Sequence, residues 1–103
     1  MVKINYETDV CGTSLKSYIP SLYSTNELIE LLGDKPERGH HEDKVTREWT
    51  LIDEDSGVIA TIYDWKQYRK YGDDVKVEWN IGGFDGRAID LVRDVLSGTV
   101  EVS

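Results

Sequence analysis

Few residues in this 103-residue chain have the type and spacing to do chemistry. His40, His41, Glu42 and Asp43 form the densest group of metal-capable side chains. Two adjacent histidines supply two ligands where a site needs three or four in fixed geometry, and the sequence holds no other His. Cys11 and several serines are candidate nucleophiles, but an activating base would have to come from the same histidine pair. Asp64 with Asp73 and Asp74 offers paired carboxylates; an acid–base pair needs one buried member with a shifted pKa, which spacing does not supply. Gly82-Gly83-Phe84-Asp85-Gly86 sits at a strand-to-helix junction, a place where amides hold phosphate. The spacing is neither G-x-G-x-x-G nor a P-loop, and Asp85 would repel an anion. No catalytic, cofactor-binding or metal-ligating residue and no cofactor is assigned on this reading. It points to a non-enzymatic protein, with a small hydrolase using carboxylates and Mg²⁺ as the enzymatic alternative.

Binding chemistry is better served. Residues 65–71 (WKQYRKY) set Trp65, Tyr68 and Tyr71 among Lys66, Arg69 and Lys70 with no acid between them. Trp, Tyr and Arg are the residue types that dominate binding hot spots. Aromatics beside cations also stack on bases. However, 20 acidic against 12 basic residues give a net charge of −8, which argues against general nucleic-acid binding and equally against anionic membrane surfaces. An acidic surface suits a basic partner or mimics nucleic acid. Asp53-Glu54-Asp55 is the one tight acidic run, beside Ser56-Gly57 in what reads as a hairpin turn. The candidate contact residues are therefore Trp65, Lys66, Tyr68, Arg69, Lys70 and Tyr71 on one side and Asp53, Glu54 and Asp55 on the other. The expected partner is a protein, with no direct nucleic-acid contact and no membrane, engaged by a monomer or homodimer.

The elements that must position these residues follow from periodicity. Val2, Ile4 and Tyr6 alternate with Lys3, Asn5 and Glu7 as a strand with one buried face, broken at Cys11-Gly12. Residues 15–19 read as a second short strand ended by Pro20. Ser24-Thr25-Asn26-Glu27 is a capping box, with Tyr23 and Leu28 placed for a hydrophobic staple. Gly33 fits the left-handed position after a helix over 24–32, and Pro36 prevents resumption. Residues 34–44 (DKPERGHHEDK) hold no apolar side chain and read as a mobile polar loop. Residues 45–53 and 58–65 form the clearest hairpin, the second strand apolar on both faces and hence central. Val75, Val77, Trp79 and Ile81 alternate with Lys76, Glu78 and Asn80, which predicts a third strand with one wet face, ended by Ile81-Gly82-Gly83. Asp85 is placed to cap a last helix over 86–97, where Ala88, Leu91, Val92, Val95 and Leu96 fall on one face and Gly98 closes it. Residues 99–103 are expected to add an edge strand or fray.

The order β(β)αβββα predicts one α+β domain over 1–103, with an antiparallel sheet of four to five strands and two helices mainly on one face. The length supports one core. One cysteine excludes an internal disulfide framework, and the first residues lack a secretory apolar region, so a reducing cytosol is expected.

Glu48-Trp49-Thr50-Leu51, then the run from Ser56 through Gly57-Val58-Ile59-Ala60-Thr61-Ile62-Tyr63-Asp64-Trp65 to Lys66, then Trp79-Asn80-Ile81-Gly82-Gly83, are similar to segments of small proteins from tailed bacteriophages. Leu31-Leu32-Gly33-Asp34-Lys35-Pro36 and Cys11-Gly12-Thr13-Ser14-Leu15 extend the resemblance over most of residues 1–97. Those proteins often carry His where this chain has Asn80, so a role of that histidine does not transfer. The resemblance brings no established activity. It implies a viral product in the bacterial host cytoplasm, and small acidic phage proteins commonly bind and disable host enzymes, defence nucleases among them. The expectation is a binding protein that inhibits or redirects a host protein. The alternative is an accessory or structural virion protein that self-associates.

Overall fold

The computed structural model describes residues 1–8, 10, 12–37, 47–65 and 71–102. β1 (Val2–Ile4), β2 (Ser14–Tyr18), β3 (Glu48–Asp53), β4 (Ile59–Tyr63) and β5 (Asn80–Gly83) form one antiparallel sheet in the order β1-β3-β4-β5-β2. α1 (Thr25–Leu32) and α2 (Arg87–Leu96) complete the α+β domain. Among the described residues no helix is long and apolar enough to cross a membrane.

Strand register sorts the side chains. Trp49 lies opposite Ile62, Leu51 opposite Ala60 and Ile4, and Ile62 opposite Ile81. These side chains are turned to the face that the helices cover. α2 packs on β4 and β5 through Ala88, Leu91, Val92 and Val95, and α1 lies against α2 with Leu28 and Leu32 in the core. A Cβ on Gly83 would collide with that of Ala88, so the glycine is what lets α2 sit this close to β5. Trp49 and Trp79 meet edge to face with centroids 5.3 Å apart. Each buried indole donates to a carbonyl, Trp49 Nε1 to Asp34 O (2.9 Å) and Trp79 Nε1 to Tyr23 O (2.8 Å), so neither ring leaves a polar atom unsatisfied.

The local signals are realised closely. Ser24 Oγ accepts from the Glu27 amide and the Glu27 carboxylate accepts from the Ser24 amide, while Gly33 ends α1 at φ 80°. Asp85 is not the N-cap of α2: the helix begins at Arg87, Gly86 holds the cap position without a side-chain cap bond, and Asp85, one residue earlier, accepts the Arg87 amide at Oδ1 (2.9 Å). The tail contributes one parallel bridge, Val102 to Val2, at the β1 edge.

Two expectations are corrected. Residues 75–79 alternate but do not join the sheet: Val77 pairs by a single bridge with Tyr23, ahead of α1, and only residues 80–83 form β5. The strand ends at Gly83, as expected, with Gly82 and Gly83 paired to β4 as its last two residues. Its second face is not wet, because Asn80 is buried although Lys76 and Glu78 are exposed. The reason is topological. β1 and β2 occupy opposite edges of the sheet, so the chain between them must travel the width of five strands, and it does so across the face opposite the helices.

Candidate functional site: a cavity on the open sheet face

The crossing leaves a cavity of about 680 Å³ between itself and the sheet, a size typical of ligand sites. Two rows of register partners make the floor. One runs Glu48, Tyr63, Asn80, Tyr18 across β3, β4, β5 and β2; the next runs Thr50, Thr61, Gly82, Leu15. The crossing chain adds Tyr6, Thr8 and Val10, and Trp65 stands at the end of β4. Side chains at alternate positions of a strand share a face, so the residues that interleave with Trp49, Leu51 and Ile62 point here. Gly82 keeps the floor open, since a Cβ there would lie 3.1 Å from Tyr63 Cε1 and closer still to Thr61 Oγ1.

The floor is polar and largely sealed from solvent. Glu48 is 4% exposed, Thr61 2% and Asn80 5%. Burial raises the Tyr63 hydroxyl above the ordinary tyrosine value, a hydrogen bond with Asn80 partly opposes the rise, and the negative charge of Glu48 adds to it. The Tyr6 hydroxyl is raised further, first by burial and then by the carboxylates of Asp34, Glu37 and Glu48. It donates to Lys35 O, which fixes the start of the crossing segment. Glu37 and Glu48 exchange both backbone hydrogen bonds (2.9 and 3.0 Å), which ties residues 34–37 to the start of β3. Tyr63 and Trp65 stand nearly perpendicular, centroids 6.3 Å apart at 76°, as two walls of one corner. The arrangement combines aromatic walls, neutral hydrogen-bonding groups and a negative local field.

The residues singled out by sequence are distributed unevenly around it. Trp65 lines the cavity, 37% exposed. Tyr71 is turned inward: its hydroxyl donates to Asp64 Oδ2 at 2.7 Å, and the Arg47 guanidinium lies 4.1 Å over its ring. Lys66, Tyr68, Arg69 and Lys70 lie outside the described residues. Asp53, Glu54 and Asp55 occupy the hairpin turn at the other end of β3 and β4 from Trp65. Asp53 organises that turn by accepting from Ser56 Oγ (2.9 Å) and the Asp55 amide (3.0 Å), and Asp55 and Asp53 both reach the Met1 ammonium. Glu54 pairs with Lys3 at 3.3 Å.

The paired-carboxylate arrangement around Asp64 is absent. Asp64 is fully buried and accepts from the Arg47 amide (3.0 Å) and Tyr71, Asp73 pairs with Arg47 at 3.2 Å, and Asp74 accepts from Asn26. None of these contacts joins one carboxylate to another. His40, His41, Glu42, Asp43 and Cys11 lie outside the described residues, as does the 34–44 loop beyond residue 37. Residues 34–37 are tied down by the Trp49, Tyr6 and Glu48 bonds. Among the described residues no group of three or more His, Cys, Asp or Glu could hold a metal ion.

Glu48 and Thr61 are the cavity residues that sequence reasoning does not single out, and Asn80 enters there only as the position where the phage proteins carry His. Their one signal is that Glu48 and Thr50 interrupt the most central hairpin of the chain, where an exposed polar face is least expected. No family model, curated protein or solved structure matches this chain.

Proposed function

We propose that this chain is a non-enzymatic binding protein and that the cavity on its open sheet face is the receptor. The observation that carries the reading is the cavity floor: a sheet face given over to Glu48, Thr61, Tyr63 and Asn80, with Gly82 holding the space above it clear. Ligand sites combine apolar and aromatic walls with a few polar groups that fix orientation, and this floor has that composition. The phage-like character of the sequence supplies the context: a viral product acting in the host cytoplasm that inhibits or redirects a host protein. The net charge of −8 favours a basic target.

The test is capture of host proteins from bacterial lysate on the immobilised chain, compared with Leu15→Arg. Leu15 lines the mouth and is 46% exposed, so the longer side chain obstructs the cavity with little strain on the fold. A host protein held by the parent chain and released by this substitution supports the reading. Equal retention by both refutes it. A second reading, self-association in a virion, draws on β2 being an edge strand that exposes Leu15 and Tyr18. Light scattering on the eluting purified chain separates the two, since a monomer at all concentrations removes self-association.

A further inference from the structure

We propose that the open edge of the sheet at β2 is guarded against pairing with a second copy of this chain, and that the guard is the bulge built around Lys16. A sheet edge presents a row of backbone donors and acceptors, and a strand of the same sequence is the partner always at hand. The two edges of this sheet are treated differently. Beyond β1 the tail adds a bridge, Val102 to Val2. Beyond β2 no strand pairs among the described residues. Leu15 and Tyr18 are 46% and 51% exposed there, so apolar surface adjoins the bare edge. An edge of this kind promotes association unless something opposes it.

Three features of β2 oppose it. The strand has five residues, and Pro20 follows two positions after its end, with no N–H to extend a ladder. Its register also shifts. Leu15 faces Gly82 and Ser17 faces Ile81, so one step along β5 is matched by two along β2, and Lys16 is the extra residue. A bulged strand bends and twists, and its outward N–H and C=O groups lose the even spacing that a straight partner needs. Finally, the extra residue is a cation. Lys16 Nζ donates to Ser14 Oγ at 3.0 Å, which holds the ammonium along the edge. The Asp85 carboxyl, kept low chiefly by Arg87, also feels the Lys16 charge, which places that charge near the β5–α2 junction. Lys16 is the central residue of β2, so in a two-fold antiparallel pairing of this strand with itself it meets its own copy. Like charges directly opposite destabilise a strand pair, and closing the seam would strip water from both ammonium groups.

The experiment removes the guard in two ways. Deleting Lys16 makes Leu15 and Ser17 consecutive and restores a regular strand against Gly82 and Ile81. Lys16→Val keeps the extra residue and removes the charge, and Lys16→Arg keeps both. Sedimentation equilibrium measures the association of the parent and the three variants, near-UV circular dichroism checks that each is folded, and amide hydrogen exchange at Ser14–Tyr18 locates the seam. The parent and Lys16→Arg should stay monomeric to about 1 mM, the deletion should dimerise with a dissociation constant on the order of 100 μM, and Lys16→Val should dimerise about tenfold more weakly than the deletion. Exchange at Ser14–Tyr18 should slow in the dimers. If the deletion does not fold, Lys16→Val decides alone. Pairing of the parent through β2, folded variants that remain monomeric, or association that leaves exchange at Ser14–Tyr18 unchanged overturns the inference. Lys16 lies outside the cavity lining, so each of these results leaves the receptor reading to its own test.

Discussion

Gly82→Ala tests how the cavity floor is kept open. The added methyl would lie nearer to Thr61 Oγ1 than real Cβ atoms approach a neighbour and 3.1 Å from Tyr63 Cε1, a tight contact, while the Ser14 carbonyl oxygen at 3.6 Å stays at ordinary distance. Thr61 cannot give way easily. It is β-branched, 2% exposed and sits in the central strand, so its χ1 is confined by both backbone and neighbours. Overpacking of this kind costs about 1–3 kcal/mol. Alanine loses less backbone freedom on folding than glycine, which offsets about 0.5–1 kcal/mol. The net loss of ~1–2 kcal/mol should lower the Tm of a domain of this size by roughly 5–15 °C. Circular dichroism melts and urea titrations of Gly82→Ala, Thr61→Ala and the double variant measure it. Thr61→Ala removes the atom that the new methyl meets, so the double variant should be more stable than the sum of the single losses by about 1 kcal/mol. An unchanged or raised Tm for Gly82→Ala, or strictly additive losses, would refute the claim that these two residues hold the floor apart.

Other expectations are simpler. Ser24→Ala removes the Glu27 amide's acceptor in the capping box and should cost about 1 kcal/mol in urea denaturation, with Ser24→Asp recovering most of it. Tyr71→Phe leaves the buried Asp64 carboxylate short of one donor and should cost about 1–3 kcal/mol while leaving partner capture intact, since Tyr71 faces inward; lost capture without lost stability would return Tyr71 to the contact surface. On the alkaline side, Tyr6 and Tyr63 are held neutral by burial above the ordinary value of 10.0, so their contribution to stability is intact below pH 10 and is lost as pH rises through their raised folded values. Tyrosinate absorbance of Tyr6→Phe and Tyr63→Phe against the parent chain should show that each of these two hydroxyls ionises above pH 10 in the folded chain, and ionisation of either at the ordinary value would contradict this. On the acid side, the Ser24 amide and Lys76 lower Glu27, and Ser56 and the Asp55 amide lower Asp53. That stability is present above their ordinary values of 4.5 and 3.8 and should fade as pH falls through the lowered ones, visible as a falling Tm.

What the sequence discloses and what it conceals divide along the range of the interactions involved. Ser24, Glu27 and Gly33 define α1 through contacts within a turn of the chain, and the spacing of Ala88, Leu91, Val92 and Val95 defines α2 by one face. Such signals are complete within about ten residues. The β3–β4 hairpin is legible for the same reason, its two strands being joined by the short turn that Asp53 organises. Strand order is not local. Nothing in residues 2–4 or 14–18 states that these strands take opposite edges, and that placement alone sends the intervening chain across the open face. Alternation at 75–79 marks an extended segment but not its partner, which is Tyr23 and not a sheet neighbour. The cavity is hidden by the same ambiguity: Glu48, Thr50, Thr61 and Asn80 alternate with apolar neighbours as residues facing water do, and a polar face roofed by a distant segment has the same pattern. Tyr71 misleads in the opposite sense, since a tyrosine among lysines and an arginine reads as surface until Asp64 and Arg47 are brought to it.

The receptor claim is tested most directly by mapping amide and indole NMR shifts of the isotope-labelled chain on addition of a purified host protein, if one is retained in the capture experiment. The account predicts perturbations centred on Thr61, Tyr63, Trp65 and Asn80 and on the crossing segment at Thr8 and Val10. Perturbations confined to the hairpin turn at Asp53, Glu54 and Asp55, with the cavity floor unchanged, would contradict it.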